Sequence, residues 1–338
     1  MTIRELAQLA NVSPATVSIA LNGKKGIGED TRKRILKMAQ QHNYSGAKYT
    51  QKKAKNVLVL KFWKGGMLVE ENQSFISTII DAIEGELRSR RHGLTMLISK
   101  EALDKTIDEI NYNDYCGIIV IATEIVGGMY RFLDKIPIPF VVVDNTVPNY
   151  KYNSICVNNS ENVYLALKCF KDNGHCDIGY LRSSIQTENF NERNEAFKKW
   201  VKVLEMNFES EQEYLLTPTL VDSYKEFKQI LRIKDTMPGC LYADNDTIAI
   251  GAMKALREGG YKIPDDISII GMDDIPFASV SAPALTTVRV QKEAIGVQAV
   301  KQLFWLINDQ EFQNMKVSVT GDLIYRHSVK NLIKEKDQ

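Results

Sequence analysis

Residues 2–23 read TIRELAQLANVSPATVSIALNG, and this run decides how the amino-terminal part of the chain folds. Thr2, followed three positions later by Glu5, makes a capping box: the Thr2 hydroxyl takes an amide of the first turn while the Glu5 carboxylate reaches back. Ile3, Leu6, Ala7 and Ala10 then recur at helical spacing and give one apolar face. Asn11 suits the left-handed turn that ends this helix, with Val12 packing back. Ser13-Pro14 restarts a helix at once, Ser13 as N-cap and Pro14 in the first turn, where a missing N–H costs nothing. The second helix turns Val17, Ala20 and Leu21 inward and leaves Ala15, Thr16, Ser18 and Ile19 outward, stopping near Asn22-Gly23.

A third helix is expected over 29–41, with acids in its first turn and Ile35, Met38 and Ala39 facing the core. Two helices joined by so tight a turn, the second with a short polar outer face, form a helix-turn-helix. Small side chains on that face let a helix approach base edges in the major groove. Lys24, Lys25, Arg32, Lys33 and Lys37 are placed to hold phosphates. Charge supports this reading. Residues 1–55 hold 11 Lys/Arg against 3 Asp/Glu, whereas the other 283 residues hold 32 against 39, so a total of +1 conceals a basic head on an acidic body. An anionic polymer is the partner such a head fits.

The run from Thr2, with EDTRKRILKMAQQHNY after it, resembles the DNA-binding head of the lac repressor (LacI/GalR) family of bacterial regulators. The resemblance implies double-stranded, near-palindromic operator DNA as partner. It places DNA contacts at Thr2, Ser13, Pro14, Ala15, Thr16, Ser18, Ile19, Asn22, Lys24 and Tyr49.

After Lys55 the texture changes to apolar runs alternating with amphipathic helices. Strands are expected at 57–60, 94–98, 117–121, 140–143, 178–181, 239–242 and 267–270, and helices at 74–91, 104–110, 160–172, 193–204, 246–258 and 293–308. Such alternation gives parallel sheets covered on both faces, and ten or more strands divide better between two lobes than within one sheet. The stretches IPIPFVVVDN, NGHCDIGYL, LYADNDTIAIGAMKALREGGYKIPDDISIIGMDDIPFA and PALTTVRV are similar to the periplasmic-binding-protein-like body of the same family. The fold class is thus an all-α helix-turn-helix head plus an α/β body of two doubly wound parallel-sheet lobes. Expected boundaries are a head at 1–44, a linker at 45–56 and a body at 57–338. The resemblance divides the body into one lobe of about 57–157 and 290–319 and another of about 158–289 and 320–338.

Chemistry in the body is sparse. Cys116, Cys156, Cys169, Cys176 and Cys240 have no CxxC spacing, which argues against zinc or a disulfide framework and fits a cytoplasmic protein. No apolar run reaches membrane-spanning length, and the first 20 residues are polar and amphipathic rather than a leader. His42, His92, His175 and His327 lack ligand spacing, and no GxSxG or P-loop is present. No cofactor and no enzymatic role are expected. Asp144, Arg193, Asn245 and Asp273 fall at carboxyl ends of strands or starts of helices, where open α/β sheets bind ligands. Planar Asp, Asn and Arg groups grip vicinal hydroxyls, so a carbohydrate or similar polyol is the expected effector, with Phe75 supplying an aromatic face. Arg193 is expected to open a helix after an irregular loop. Gly271 is expected to admit ligand near Asp273, the two charged groups holding it from opposite sides of one cleft.

Three departures from the family pattern stand out. Ile19 replaces the usual arginine or large polar residue, so guanine O6/N7 cannot be gripped there, though a thymine methyl can be contacted. The linker lacks the familiar A-R-x-L run. Its nearest match is Ala47-Lys48-Tyr49-Thr50, with Tyr49 as the replacement minor-groove wedge. The aromatic wall expected near 218–220 is Pro218-Thr219-Leu220, which leaves Phe75, Phe190 or Trp63 to supply a ring. The resemblance implies a homodimer, and no leucine heptad follows residue 330 to serve as a tetramerising tail. The sequence reading is a repressor governed by a small molecule. Rival readings are control by a protein corepressor, or ligand binding without regulation.

Overall fold

The computed structural model describes residues 2–21, 24, 26–42, 44, 55–62, 73–234, 236–308 and 314–333. The chain divides into two compact units, residues 1–55 and 56–338.

The first unit holds α1 (Ile3–Leu9), α2 (Pro14–Leu21) and α3 (Glu29–Gln41). The capping box is formed as the sequence predicts, with Thr2 N donating to Glu5 Oε2 at 2.7 Å and Glu5 N donating to Thr2 Oγ1 at 3.3 Å. Asn11 takes the left-handed conformation at φ 48°, and Val12 N closes the turn on Ala7 O at 3.0 Å. Ser13 Oγ accepts from Thr16 N at 3.1 Å and so caps α2. Leu6, Ala7, Ala10, Val17, Ala20, Leu21, Ile35 and Ala39 form the core, with Met38 only half-buried against it. A core this small leaves little stability to spare.

The second unit is two six-stranded sheets. The strands are β1 (Asn56–Phe62), β2 (Leu94–Ser99), β3 (Tyr115–Ile121), β4 (Phe140–Val143), β5 (Ser154–Val157), β6 (Ile178–Ser183), β7 (Glu213–Leu216), β8 (Cys240–Ala243), β9 (Ser268–Asp273), β10 (Thr286–Arg289), β11 (Lys316–Val319) and β12 (Asp322–Ile324). One sheet runs β11-β5-β4-β3-β1-β2, the other β12-β10-β9-β8-β6-β7. Every pairing is parallel except β10 with β12, which closes the second sheet with an antiparallel edge. The central strands are buried throughout, as in the run Val57, Leu58, Val59 and Leu60, because helices cover both faces.

Those helices are α4 (Gln73–Ser89), α5 (Leu103–Glu109), α6 (Asn159–Asp172), α7 (Glu188–Val203), α8 (Leu220–Leu231), α9 (Asp246–Glu258), α10 (Pro276–Val280) and α11 (Lys292–Asn308). Helix α11 returns to the first sheet and packs on α4, β3, β4 and β5. That approach is close enough that a Cβ on Gly296 would lie 2.5 Å from the Ile79 carbonyl. The chain thus passes from the first sheet to the second after β5, back after β10, and over again after β11. These passages leave the carboxyl ends of both sheets facing a shared cleft.

Candidate functional site

In the head, Ala15 is exposed, while Thr16, Ser18 and Ile19 are half-buried on the outer side of α2, opposite its buried Val17, Ala20 and Leu21. Ser13 and Pro14 are exposed at its start. The Ser13 hydroxyl also lies 2.8 Å from Thr16 Oγ1, so both hydroxyls that head this face are ordered by each other. Lys24, Lys33 and Lys37 are exposed. Asn22, Lys25, Tyr49 and Trp63, together with the 47–50 segment, lie outside the described residues.

Arg32 corrects the sequence reading. Its Nη1 donates to the carbonyls of Ile19 and Ala20, both at 3.2 Å, and its Nη2 donates to the Lys24 carbonyl. The Ile19 and Ala20 carbonyls lie in the last turn of α2 and Lys24 just beyond it, so the guanidinium caps a helix end instead of meeting a phosphate. Arg34 does the same for α1, donating to the Ala10 carbonyl at 3.2 Å.

In the body, a cleft of about 450 Å³, open mouth included, is lined by Phe75, Ile76, Thr123, Asp144, Thr187, Asn189, Phe190, Arg193, Asn245 and Asp273. All five expected cleft residues line it. Asp144 follows β4 directly, in a left-handed conformation at φ 64°. Its Oδ2 accepts from Thr123 Oγ1 at 2.6 Å, and its Oδ1 from Asn189 Nδ2 at 3.0 Å. Thr123 belongs to the first lobe and Asn189 to the second, so this carboxylate joins the two. Burial pushes the Asp144 carboxyl up to about 6, against the opposing pull of Thr123, Arg193 and Asn189. Asn245 is the N-cap of α9, its Oδ1 accepting from Ile248 N at 2.9 Å. Its amide nitrogen is left as the group able to serve a ligand.

Arg193 does not open its helix. Thr187 caps α7, with Phe190 N donating to its Oγ1 at 3.3 Å, and Arg193 sits in the second turn. The Thr187-Glu188 pair was the signal for that earlier start. Arg193 and Asp273 also do not oppose each other. Both belong to the second lobe, and Arg193 Nη2 lies 3.4 Å from Asp273 Oδ1 in a fully buried ion pair. Arg193 Nε donates to Asn159 Oδ1 at 2.9 Å, and Nη1 to the Asp244 carbonyl. Nor does Gly271 make room for ligand: a Cβ there would meet Asp246 Oδ1 at 2.2 Å, so the space belongs to a buried carboxylate. Asp246 holds Thr287 Oγ1 at 2.6 Å and Ile275 N at 2.9 Å.

Periodicity gave no sign of several partners. Asn159 Nδ2 donates to Asn189 Oδ1 at 2.8 Å and to Glu192 Oε2 at 2.7 Å, while Thr146 Oγ1 reaches Glu192 Oε1 at 2.6 Å from the other lobe. The Lys292 ammonium, at the start of α11, donates to the Asp273 carbonyl. Neighbouring acids divide by environment. Despite its own partial burial, Asp274 is held below the carboxylate range by Arg326 and Arg289. The Asp265-Asp266 pair lies at the turn before β9, where Asp266 Oδ2 accepts from Lys262 N. Among the described residues no cluster of metal-ligating side chains is present.

Residues 2–46 match the family model described as bacterial regulatory proteins, lacI family, and residues 167–329 match the periplasmic binding protein-like domain. The HTH-type transcriptional repressor PurR of Pasteurella multocida (strain Pm70) is 30% identical over 338 residues, covering 98% of this chain and 99% of the relative. The chain belongs to the lacI family. It is a DNA-binding transcriptional repressor of that family, whose members are regulators and not enzymes. PurR of Mannheimia succiniciproducens is 28% identical over the same share of both chains. Solved structures agree on the fold. The lac repressor dimer bound to operator and the anti-inducer ONPF has TM-score 0.73 at 19% identity, covering 98% of this chain and 99% of that one. The CelR–cellobiose complex has TM-score 0.72 at 17% identity, covering 97% and 99%. No helix among the described residues is long and apolar enough to cross a membrane.

Proposed function

We propose that this repressor is switched by a small polyol, most simply a carbohydrate, bound in the cleft between its lobes. The observation that carries the reading is the cleft lining: two buried carboxylates, two carboxamides, a guanidinium and two phenyl rings, drawn from both lobes at the carboxyl ends of both sheets. Asp144 and Phe75 come from one side, and Arg193, Asn245 and Asp273 from the other. A ligand touching both sides favours one lobe arrangement, and lobe arrangement is what a head-bearing body can transmit. Sugars occur in similar structures: cellobiose in the CelR complex, and ribose in a lacI-family regulator from Enterococcus faecium with TM-score 0.68.

Helix α2 reads the operator through Ala15, Thr16, Ser18 and Ile19, with Thr2, Ser13, Pro14, Asn22 and Lys24 on backbone and flanks and Tyr49 as wedge. The chain acts as a cytoplasmic homodimer on a near-palindromic site. Met96 and Ile98 on the edge strand β2, and Phe277 and Val280 on α10, are exposed apolar residues that fit such an interface. The test is a thermal-shift screen of the full chain against sugars and nucleosides, followed by gel shift with each hit. A hit that raises the melting temperature and alters operator affinity supports the proposal. Melting shifts without any change in operator affinity would refute it.

A further inference from the structure

We infer that the cleft selects neutral or amine-bearing ligands rich in hydrogen-bond donors, and rejects phosphorylated or carboxylated ones. This rests on the reading of the cleft as the effector site. Among the described residues that line it, Arg193 is the one cation. Each of its three nitrogens already donates within the protein: Nε to Asn159, Nη1 to Asp244 and Nη2 to Asp273. Three of its five N–H donors are thus engaged, and a phosphate or carboxylate seeking a two-pronged grip would have to share the guanidinium with the Asp273 carboxylate it already holds.

Surrounding charge points the same way. Asp144 and Asp273 line the cleft, and Asp244 and Asp246 lie buried directly behind it. Burial and the neighbouring Asp273 push the Asp246 carboxyl well above the carboxylate range, which leaves three acids against Arg193 and Lys292, and the Lys292 ammonium is turned onto the Asp273 carbonyl. The helix starts that would otherwise attract an anion are closed. Thr187 caps α7, Asn245 caps α9, and each first turn carries its own acid, Glu188 or Asp246. The cleft therefore offers mainly acceptors. Hydroxyls or a protonated amine can donate to remaining lone pairs of the Asp144 and Asp273 carboxylates beside their existing partners, whereas an anion would be desolvated next to them without compensation.

Calorimetric titration of the full chain with matched compounds tests this: ribose against ribose 5-phosphate, glucose against glucosamine and glucose 6-phosphate, adenosine against its monophosphate. The parent that binds should exceed its phosphate by about 100-fold, and an amine in place of a hydroxyl should bind equally or up to about 10-fold more tightly. Asp273→Asn and, as a second variant should that one fail to fold, Asp144→Asn should each narrow the parent-to-phosphate ratio by about 10-fold. A phosphate binding as tightly as its parent would overturn the inference and leave the effector cleft standing. Binding by no member of the set would overturn the effector reading and this inference together.

Discussion

Replacing Arg193 with alanine is the most informative single change, because the guanidinium is buried and donates from each of its three nitrogens. It is 3% exposed and donates to Asn159, Asp244 and Asp273. Truncation strips Asp273 of its guanidinium, leaves the Asn159 and Asp244 acceptors short of a donor, and removes positive charge from beside Asp144. Breaking one side of a buried ion pair costs roughly 3–5 kcal/mol. For a body of this size that corresponds to a fall in melting temperature of roughly 10 °C. Calorimetry of the full chain should show the loss in the transition of the body and not in that of the head. Adding Asp273→Asn to Arg193→Ala should then restore about half of it, since part of the cost is the buried Asp273 charge left without its guanidinium. A melting temperature within about 2 °C of wild type, or no recovery in the double variant, would refute the reasoning.

Asp144→Asn isolates one acid from the others. Because the native carboxyl titrates near 6 and its ordinary value is 3.8, the folded state holds the proton more tightly, so stability falls as pH rises from about 4 to about 6 and is flat above. The asparagine variant should lack up to ~3 kcal/mol of that fall and gain relative stability at pH 8, as urea unfolding across the range will show; equal pH profiles would count against it. In the head, Arg32→Ala should weaken operator binding through lost helix capping while leaving the slope of log affinity against log salt unchanged. Lys33→Ala, if it contacts a phosphate, should reduce that slope by about one; a reduced slope for Arg32→Ala would return it to the phosphate contacts. Ile19→Arg should shift the preferred half-site by roughly 1–3 kcal/mol in a randomised-site selection, and an unchanged preference would place Ile19 in the core instead.

The parts legible in the sequence are those set by local rules. The capping box at Thr2 and Glu5, the left-handed Asn11 and the Ser13-Pro14 restart are interactions within a few residues, and all three form. The buried strands β1, β3 and β9 announce themselves as continuous apolar runs because both their faces are covered. Strands β7 and β11 do not, because Glu213, Leu215, Lys316 and Ser318 alternate outward and the runs are short. Strand β12 has three residues and exists because β10 offers it an edge. Helix α8 starts where Thr219 caps Asp222, a local signal that falls at the place where the family pattern leads one to expect an aromatic wall.

The cleft shows the same division. Its residues were found because strand ends are recognisable in sequence, but their pairing was not, since Arg193 and Asp273 are brought together by the order β6-β8-β9 across 80 residues. Likewise, nothing local tells whether a long arginine side chain such as Arg32 turns to solvent or back onto α2. That direction is a tertiary fact.

The central claim is that cleft and operator are coupled, and coupling is reciprocal. Fluorescence anisotropy with labelled operator, with and without a saturating sugar taken from the thermal-shift screen, measures it directly. Operator Kd should change by about 5- to 150-fold, and the sugar's own Kd should change by the same factor when operator is present. An operator Kd that is the same at zero and saturating sugar, with the sugar shown by titration to occupy the cleft, would contradict the account.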